Sequence, residues 1–205
     1  MIEKRILITE RGGNSMELEV GYKPTPNHSR LKRPPRLIIL HSAETGELST
    51  VAEALAGWVA SKGRPRASWH FAVDNDSITQ SVPLDRASWH AGQVNGYSIG
   101  IEQAGRARQT EAEWFDAYSK AVLDRTAHLI AWLSNEFTIP IGFVPAADLL
   151  DWHKREGGAW GISTHLEVTR AFKVRGGHTD PGKHYPMEWV LQRADEILTE
   201  HGLKY

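Results

Sequence analysis

The sequence of 205 residues contains no cysteine, which excludes disulfide bonds and thiolate metal ligands. It also has no apolar run that approaches the length of a membrane-spanning helix. Lysine and arginine together number 24 against 25 aspartate and glutamate residues, so no basic excess indicates a nucleic-acid partner. Any metal site in this chain must therefore use histidine and carboxylate ligands, and we expect neither a nucleic-acid partner nor a membrane span.

The chain length fits one domain with a substantial core. Residues 1–35 include a basic, proline-marked connector, which is typical of an N-terminal extension or packing arm. We expect this extension to precede the main domain, which would cover residues 36–200. The N-terminus, MIEKRILITERGG, lacks the apolar core of a secretory signal peptide. A monomer is the expected state.

Strands and helices alternate along the chain without an internal repeat, and this pattern predicts an α/β domain. Two capping-box patterns, Thr50–Glu53 and Thr110–Glu113, predict helix N-termini, with the second helix extending to about residue 135. Gly63 and Pro65 are expected to end the first of these helices. The other predicted elements are strands at 36–42, 68–74, 78–82 and 98–102, a strand candidate at 139–144, and helices at 146–155 and about 187–200.

The stretch from Gly161 to Trp189 is rich in glycine, proline and histidine, as loops that carry function often are. It contains His165, His178 and Asp180, and far upstream an apolar run ends at His41. A catalytic zinc site usually takes three nitrogen or oxygen ligands from separate places and leaves a fourth position to water. We therefore predict His41, His165 and Asp180 as ligands, although the residues alone make His178 an equal candidate for the third position.

Five segments, in this order, carry a resemblance to a known family: RLIILHSAE, ASWHFAVDNDSITQSVP, ASWHAGQVNGYSIGIEQAG, GISTHLEV and HTDPGKHYP. Together they resemble the type-2 N-acetylmuramoyl-L-alanine amidases, a family that includes phage endolysins and peptidoglycan recognition proteins. The resemblance runs from about residue 36 to 198. It implies a single α/β domain with a central mixed β-sheet flanked by helices and a zinc ion in a cleft. The implied reaction is hydrolysis of the amide between muramic acid and L-alanine in peptidoglycan.

The resemblance also implies roles for individual residues. The family's zinc ligands correspond to His41, His165 and Asp180, because the DPG match favours Asp180 over His178. Glu102, within SIGIE, resembles the general base of the glutamate-bearing members. His178 occupies the place where relatives carry a catalytic lysine, so we expect it to stabilise the oxyanion or to shuttle a proton.

The expected substrate groove is lined by His70, His90, Trp69 and Asn95. Trp69 departs from the pattern, because some members carry a tyrosine there and tryptophan lacks the hydroxyl that could hold an oxyanion. This departure places more of the expected catalysis on Glu102 and His178.

Two alternatives to a lytic enzyme follow from the same resemblance. Relatives that lose a zinc ligand bind peptidoglycan without cutting it, but every ligand position is filled here. A chain without a signal peptide fits either a phage lysin that reaches the wall through a membrane pore or a cytosolic wall-recycling amidase. We prefer the lysin, which would occupy the host cytoplasm and then, after lysis, the cell wall; the recycling enzyme would stay cytoplasmic.

Overall fold

The structure, a computed structural model, describes residues 2–61, 66–155 and 160–204. Its strands are β1 (Glu3–Arg11), β2 (Asn14–Tyr22), β3 (His28–Arg30), β4 (Leu37–Ser42), β5 (Phe71–Val73), β6 (Ile78–Gln80), β7 (Arg86–Ser88), β8 (Ser98–Gln103) and β9 (Gly161–Thr164). Its helices are α1 (Val51–Ala60), α2 (Glu111–Trp114), α3 (Ala117–Phe137), α4 (Ala146–Arg155), α5 (His165–Phe172) and α6 (Met187–Glu200), with a 3₁₀ helix at Gly92–Tyr97. Within the described residues, none of the helices is long and apolar enough to cross a membrane.

The strands of the described chain form one seven-stranded mixed sheet in the order β1-β2-β6-β5-β8-β4-β9, and β3 pairs with β7 in a separate ribbon. Strand β4 lies between β8 and β9 and is parallel to both. Its residues are all buried, which explains its continuous apolar run. Ile38 and Leu40 pack with residues of α3 and α6, whereas Leu37 and Ile39 pack with residues of α4 and α5. The expected mixed sheet flanked by helices is confirmed.

The segment expected as an N-terminal extension begins with a β-hairpin that belongs to the sheet. Strands β1 and β2 pair antiparallel, and β2 pairs in parallel with β6. The hairpin turns at Gly12 and Gly13, whose φ angles of 61° and 85° are readily adopted by glycine. Met16, Leu18 and Val20 are buried in the main core. The hairpin therefore packs as part of the domain rather than as an arm beside it.

The predicted helix from Thr110 to about residue 135 is two helices. The Thr110 hydroxyl accepts from the Glu113 N–H, and the Glu113 carboxylate accepts from the Thr110 N–H, so this capping box is confirmed. The helix nevertheless ends at Trp114, and Asp116 starts α3 by accepting a hydrogen bond from a backbone N–H of its first turn. Helices α4 and α6 match their predicted bounds. Of the strand candidate at 139–144, the described residues show an isolated bridge from Phe143 to β9.

The capping box predicted at Thr50 does not form, because the Thr50 side chain makes no capping hydrogen bond to α1. The buried Asp74, which follows β5, takes that role: its Oδ2 accepts from the Ala52 N–H at 3.0 Å. Its Oδ1 accepts from the N–H groups of Asp76 and Ser77 at 3.1 and 2.8 Å. One carboxylate thus joins the start of α1 to the β5–β6 turn. Gly63 and Pro65, predicted to end α1, lie outside the described residues.

We expect Asp74→Ala to lower the free energy of unfolding by about 3 kcal/mol, since buried N–H groups would lose a charged acceptor. Asp74→Asn keeps one carbonyl acceptor and should lose less. Urea unfolding of each variant measures the difference. Asp85→Ala removes an exposed carboxylate and serves as the control, with a change within about 0.5 kcal/mol. A parent-like unfolding midpoint for Asp74→Ala would show that α1 does not depend on this cap.

Candidate functional site

Parallel strands bring the predicted site residues to one edge of the sheet. His41 and Glu102 are register partners near the carboxyl ends of β4 and β8. His165 follows β9 directly, on the other side of β4. The carboxyl ends of parallel strands form the usual ligand crevice in such sheets. The loop that carries Asp180 lines the same crevice.

The stretch from Gly161 to Trp189 is not a continuous loop, contrary to the expectation from its composition. Its first part is strand β9 followed directly by helix α5. The Thr164 hydroxyl caps α5 by accepting from the Glu167 N–H at 3.2 Å. His165 is the first residue of the helix, so the strand and the cap together fix its position. His178 and Asp180 lie in the irregular segment between α5 and α6.

Two backbone contacts, one at Asp180 and one at Gly182, fix the position of the Asp180 segment. Its carbonyl oxygen accepts from the Leu166 N–H in the first turn of α5 at 2.9 Å. Two residues later, Gly182 has a φ of 100°, and a Cβ at this position would lie 2.0 Å from the Ala107 carbonyl oxygen. Because only glycine fits against that backbone, the Asp-Pro-Gly segment is fixed relative to the loop after β8.

The side chains of His41, His165 and Asp180 converge. Nδ1 of His41 is 3.0 Å from one carboxylate oxygen of Asp180, and Nδ1 of His165 is 3.4 Å from the other. One ligand atom from each residue lies within 4.8 Å of the others, so within the described part of the chain these three residues could hold a metal ion. Burial opposes the charge of Asp180, but its contacts with His165 and His41 outweigh burial and lower the pKa of its carboxyl.

A chain of hydrogen bonds sets the tautomer of His41. The Ser98 hydroxyl donates to the Val94 carbonyl at 2.8 Å, so it accepts from Nε2 of His90 at 3.0 Å. Burial lowers the pKa of His90 well below its ordinary value, and in the neutral ring Nδ1 then accepts from Nε2 of His41 at 3.0 Å.

Burial also lowers the pKa of His41, and the neutral ring presents a bare Nδ1 to the Asp180 carboxylate. Two acceptors 3.0 Å apart need a cation or a proton between or beside them. The donor set and its tautomers therefore fit a metal ion bound by His41, His165 and Asp180, with His90 as the group that orients His41.

His178 stands at the rim of this group. Its ring stacks on that of His165 with centroids 4.1 Å apart, and its Nδ1 is 3.4 Å from Asp180 Oδ1. The side chain is 69% exposed. It faces both the metal group and the solvent, a position from which it can reach a molecule bound in the cleft.

Glu102 is another carboxyl group of the site, and its side chain is 15% exposed. Its Oε2 lies 3.8 Å from Nδ1 of His41. Burial, followed by the nearby carboxylates of Asp180 and Glu44, raises the pKa of Glu102 to about 8. A carboxyl group perturbed in this way beside a cleft is typical of general acid or base residues. A bound cation would counteract the shift by favouring the ionised form.

Glu44 lies within the quoted segment RLIILHSAE, but no role was predicted for it. It has a φ of 55°, which is uncommon for a residue other than glycine. Its Oε1 accepts from the Ser42 hydroxyl at 3.1 Å and from the Ala107 N–H at 2.7 Å. These contacts hold a third carboxylate at the wall of the cleft, in addition to Glu102 and Asp180.

The site opens into a cleft of about 1070 Å³ with an aromatic wall. The rings of Trp58 and Trp69 stack with centroids 5.9 Å apart at an angle of 6°. Trp69, predicted as a groove residue, lines this cleft together with Trp89. Trp58, for which no site role was predicted, also lines the cleft. It is 37% exposed and lines both this cleft and an adjoining apolar cavity of about 680 Å³.

Of the other three predicted groove residues, two line the cleft and one does not. His90 and Asn95 line the cleft, and Asn95 Oδ1 holds the His90 loop by accepting from the N–H groups of His90 and Ala91. His70 does not line the cleft, since it is fully buried and its ring bonds the backbones of Arg86 and Gly100. Burial lowers the pKa of His70 to about 4, so this histidine is a neutral structural residue.

A mixed sheet with a His–His–Asp group at the ends of its parallel strands, beside a largely covered glutamate, defines an α/β protein with a candidate metal-dependent hydrolase centre. The sequence model of the Amidase_2 family, described as N-acetylmuramoyl-L-alanine amidase, matches residues 31–183. The chain belongs to this family, and the resemblance noted in the sequence is confirmed.

Known proteins agree with this assignment. The chain is 38% identical over 86 residues to the N-acetylmuramoyl-L-alanine amidase CwlA of a Bacillus species, which covers 38% of this chain and 30% of CwlA. It is 33% identical over 115 residues to the amidase CwlH of Bacillus subtilis, covering 54% of this chain and 42% of CwlH. The matches thus span less than half the length of these curated relatives.

Solved structures share the fold. The hydrolase AmiA of Staphylococcus aureus, in complex with its ligand, aligns with a TM-score of 0.60 and 18% identity, covering 89% of this chain and 84% of AmiA. The catalytic domain of XlyA aligns with a TM-score of 0.56 and 20% identity, covering 84% of this chain and 97% of that domain. At these identities the likeness extends to the architecture alone.

Proposed function

We propose that this chain is a zinc-dependent N-acetylmuramoyl-L-alanine amidase that hydrolyses the amide between muramic acid and L-alanine in peptidoglycan. The observation that carries the proposal is the converging group of His41, His165 and Asp180 beside Glu102. Membership of the amidase family supports the reaction and the substrate. A full ligand set favours an enzyme over a module that only binds peptidoglycan.

The ligand types of this site favour zinc. Two imidazole nitrogens and one carboxylate oxygen form a three-ligand set of the kind found in catalytic zinc sites. When bound, zinc polarises a carbonyl group and lowers the pKa of a bound water toward about 7. In this arrangement Asp180 is the third ligand, and His178 remains outside the ligand set.

Glu102 and His178 perform the proton and charge chemistry of the proposed reaction. Glu102 accepts the proton of the attacking water, because its carboxyl lies 3.8 Å from His41 at the buried end of the cleft. The water oxygen attacks the lactyl carbonyl carbon, and the amide C–N bond breaks as the alanine nitrogen takes up a proton. His178, at the exposed rim, donates a hydrogen bond to the oxyanion or that proton to the nitrogen.

Intact peptidoglycan is the proposed substrate, in keeping with a lytic enzyme. The residues proposed to be catalytic line a cleft that is exposed at His178 and Trp58. The stacked Trp58 and Trp69 provide an apolar wall for a sugar ring or an apolar stem-peptide side chain. His90 and Asn95 also line this cleft. A glycan polymer can enter such a groove without being threaded through a lid.

Metal analysis combined with a digest of purified peptidoglycan tests the proposal. We expect one zinc per chain, loss of activity with a chelator and recovery with zinc. Mass spectrometry should detect free muramic lactyl ends and released stem peptides that begin with L-alanine. Full activity in verified metal-free protein would refute the zinc assignment. Binding without cleavage by zinc-loaded protein would instead identify a recognition module, and cleavage restricted to soluble fragments would indicate a recycling enzyme.

A further inference from the structure

Strand β1 lies at one edge of the seven-stranded sheet, and no described strand pairs with its outer side. It is one of the two longest strands, with nine residues, and Ile6 and Ile8 on its solvent face are 53% and 51% exposed. An exposed edge of this length with apolar side chains is a template for pairing with another strand.

The hairpin geometry indicates which residues present their backbone groups to that edge. In a hairpin with a two-residue turn, the closing pair exchanges hydrogen bonds, and here that pair is Arg11 and Asn14. Hydrogen-bonded positions alternate along an antiparallel pair. The N–H and C=O groups of Lys4, Ile6, Ile8 and Glu10 therefore point away from β2, toward the free edge.

The sequence of β1, Glu-Lys-Arg-Ile-Leu-Ile-Thr-Glu-Arg, is complementary to itself when one copy is reversed about Leu7. Lys4 then faces Glu10 of the other copy, and Ile6 faces Ile8. The four paired residues are also the ones whose backbone groups point to the edge. A single register therefore forms the backbone hydrogen bonds between the two strands and pairs their side chains. Opposite charges and apolar pairs directly across two strands stabilise their pairing.

We propose that a second copy of this chain docks on β1, so that two β1 strands pair antiparallel about Leu7 and join two sheets into one. A two-fold axis through Leu7 makes the interface self-complementary, as in most homodimers. This differs from the monomer expected from the sequence. An edge contact of nine residues is small, so the dimer dissociates on dilution.

The charges select this register over its neighbours. A shift that keeps the hydrogen-bond pattern moves the paired strand by two residues, because side chains alternate between faces. One such shift places Lys4 opposite Ile8, and the other places Glu10 opposite Ile6, so each leaves both charges without a partner across the interface. The bond from Lys4 to Glu19 within one chain is no obstacle, since both side chains are exposed and such pairs contribute little.

The proposed interface is separate from the catalytic site. Strand β1 is five positions from β4 in the sheet, which corresponds to about 24 Å at about 4.8 Å per strand. The dimer therefore leaves both clefts open, and its test does not depend on the proposed amidase activity.

A charge-swap series tests the dimer in the full chain by sedimentation equilibrium at low salt. The parent should dimerise at high protein concentration. Lys4→Glu and Glu10→Lys each create two like-charge pairs across the two-fold axis and should weaken dimerisation at least about tenfold. The double variant restores opposite charges and should dimerise like the parent. An equal mixture of the two single variants should form a heterodimer, because their charges are complementary.

Asp195→Lys changes an exposed charge on α6 and is the matched control, with parent-like dimerisation expected. Circular dichroism checks that every variant is folded. A parent that stays monomeric at its highest soluble concentration would overturn the proposal. A parent dimer that neither single variant weakens, or that the double variant does not restore, would place the interface elsewhere and overturn it equally.

Discussion

Asp180→Ala is expected to lose bound zinc and activity together, whereas His178→Ala should keep the zinc and lose turnover. Asp180 contacts both His41 and His165, and its removal leaves two imidazoles, too few for a stable catalytic zinc site. We expect no activity above background in this variant. His178 lies outside the ligand group, so its loss should resemble that of one oxyanion donor, about a hundred- to a thousand-fold in turnover.

Metal content by mass spectrometry and the rate of peptidoglycan digestion are measured on both variants. His184→Ala, an exposed histidine in the same loop, is the matched control and should keep parent-like metal content and turnover. If His178→Ala loses the metal and Asp180→Ala retains it, the two residues exchange roles. The order of the two metal contents therefore decides which residue is the third ligand.

Glu102→Gln should bind zinc and peptidoglycan nearly normally, while turnover falls by about a hundred- to ten-thousand-fold. The substitution keeps the shape of the side chain but removes the base, and Glu102 is not a proposed ligand. Steady-state rates across pH test the role, because a base must be ionised and parent activity should fall on the acid side. A variant rate within a few-fold of the parent between about pH 5 and 9 would make Glu102 structural.

Glu44→Gln is the companion variant for Glu102. The Glu44 carboxylate helps to raise the pKa of Glu102, so its neutralisation should move the acid limb of the rate profile to lower pH. Turnover at the optimum should change far less than in Glu102→Gln. An unchanged acid limb in Glu44→Gln would mean that Glu102 does not set it.

The raised pKa of Glu102 makes the stability of the metal-free protein depend on pH. Folding raises the pKa of Glu102 from its ordinary value of 4.5 to about 8. The stability that the protonated carboxyl contributes is fully present below pH 4.5 and is lost as the pH rises through about 8. Glu102→Gln cannot lose a proton, so its melting temperature relative to the parent should be higher at about pH 9 than at about pH 4.

Local patterns in the sequence determined much of this protein. The apolar run that ends at His41 predicted a buried strand, since only a strand covered on both faces is apolar throughout. The Thr110 capping box and the bounds of α4 and α6 also depend on residues a few positions apart. The order of the five quoted segments predicted the family, and the fold follows from it.

Only the tertiary structure decided the contacts between residues that are distant in sequence. The Thr50 box resembles the Thr110 box, yet Asp74 caps α1, because folding brings a buried carboxylate to that helix end. The hairpin at the N-terminus became part of the sheet because β6 offered it an edge. No local pattern distinguishes His70 from His90. In the fold, His70 is a structural residue that accepts from the Gly100 N–H, whereas His90 forms a hydrogen bond with Nε2 of His41.

The raised pKa of Glu102 likewise needed the fold, since it arises from burial and from carboxylates contributed by two other segments. Residue types and their order in the sequence thus determined the candidate ligands and the family. Burial, hydrogen-bond partners and charge proximity depend on contacts between distant segments, and only the tertiary structure could decide them.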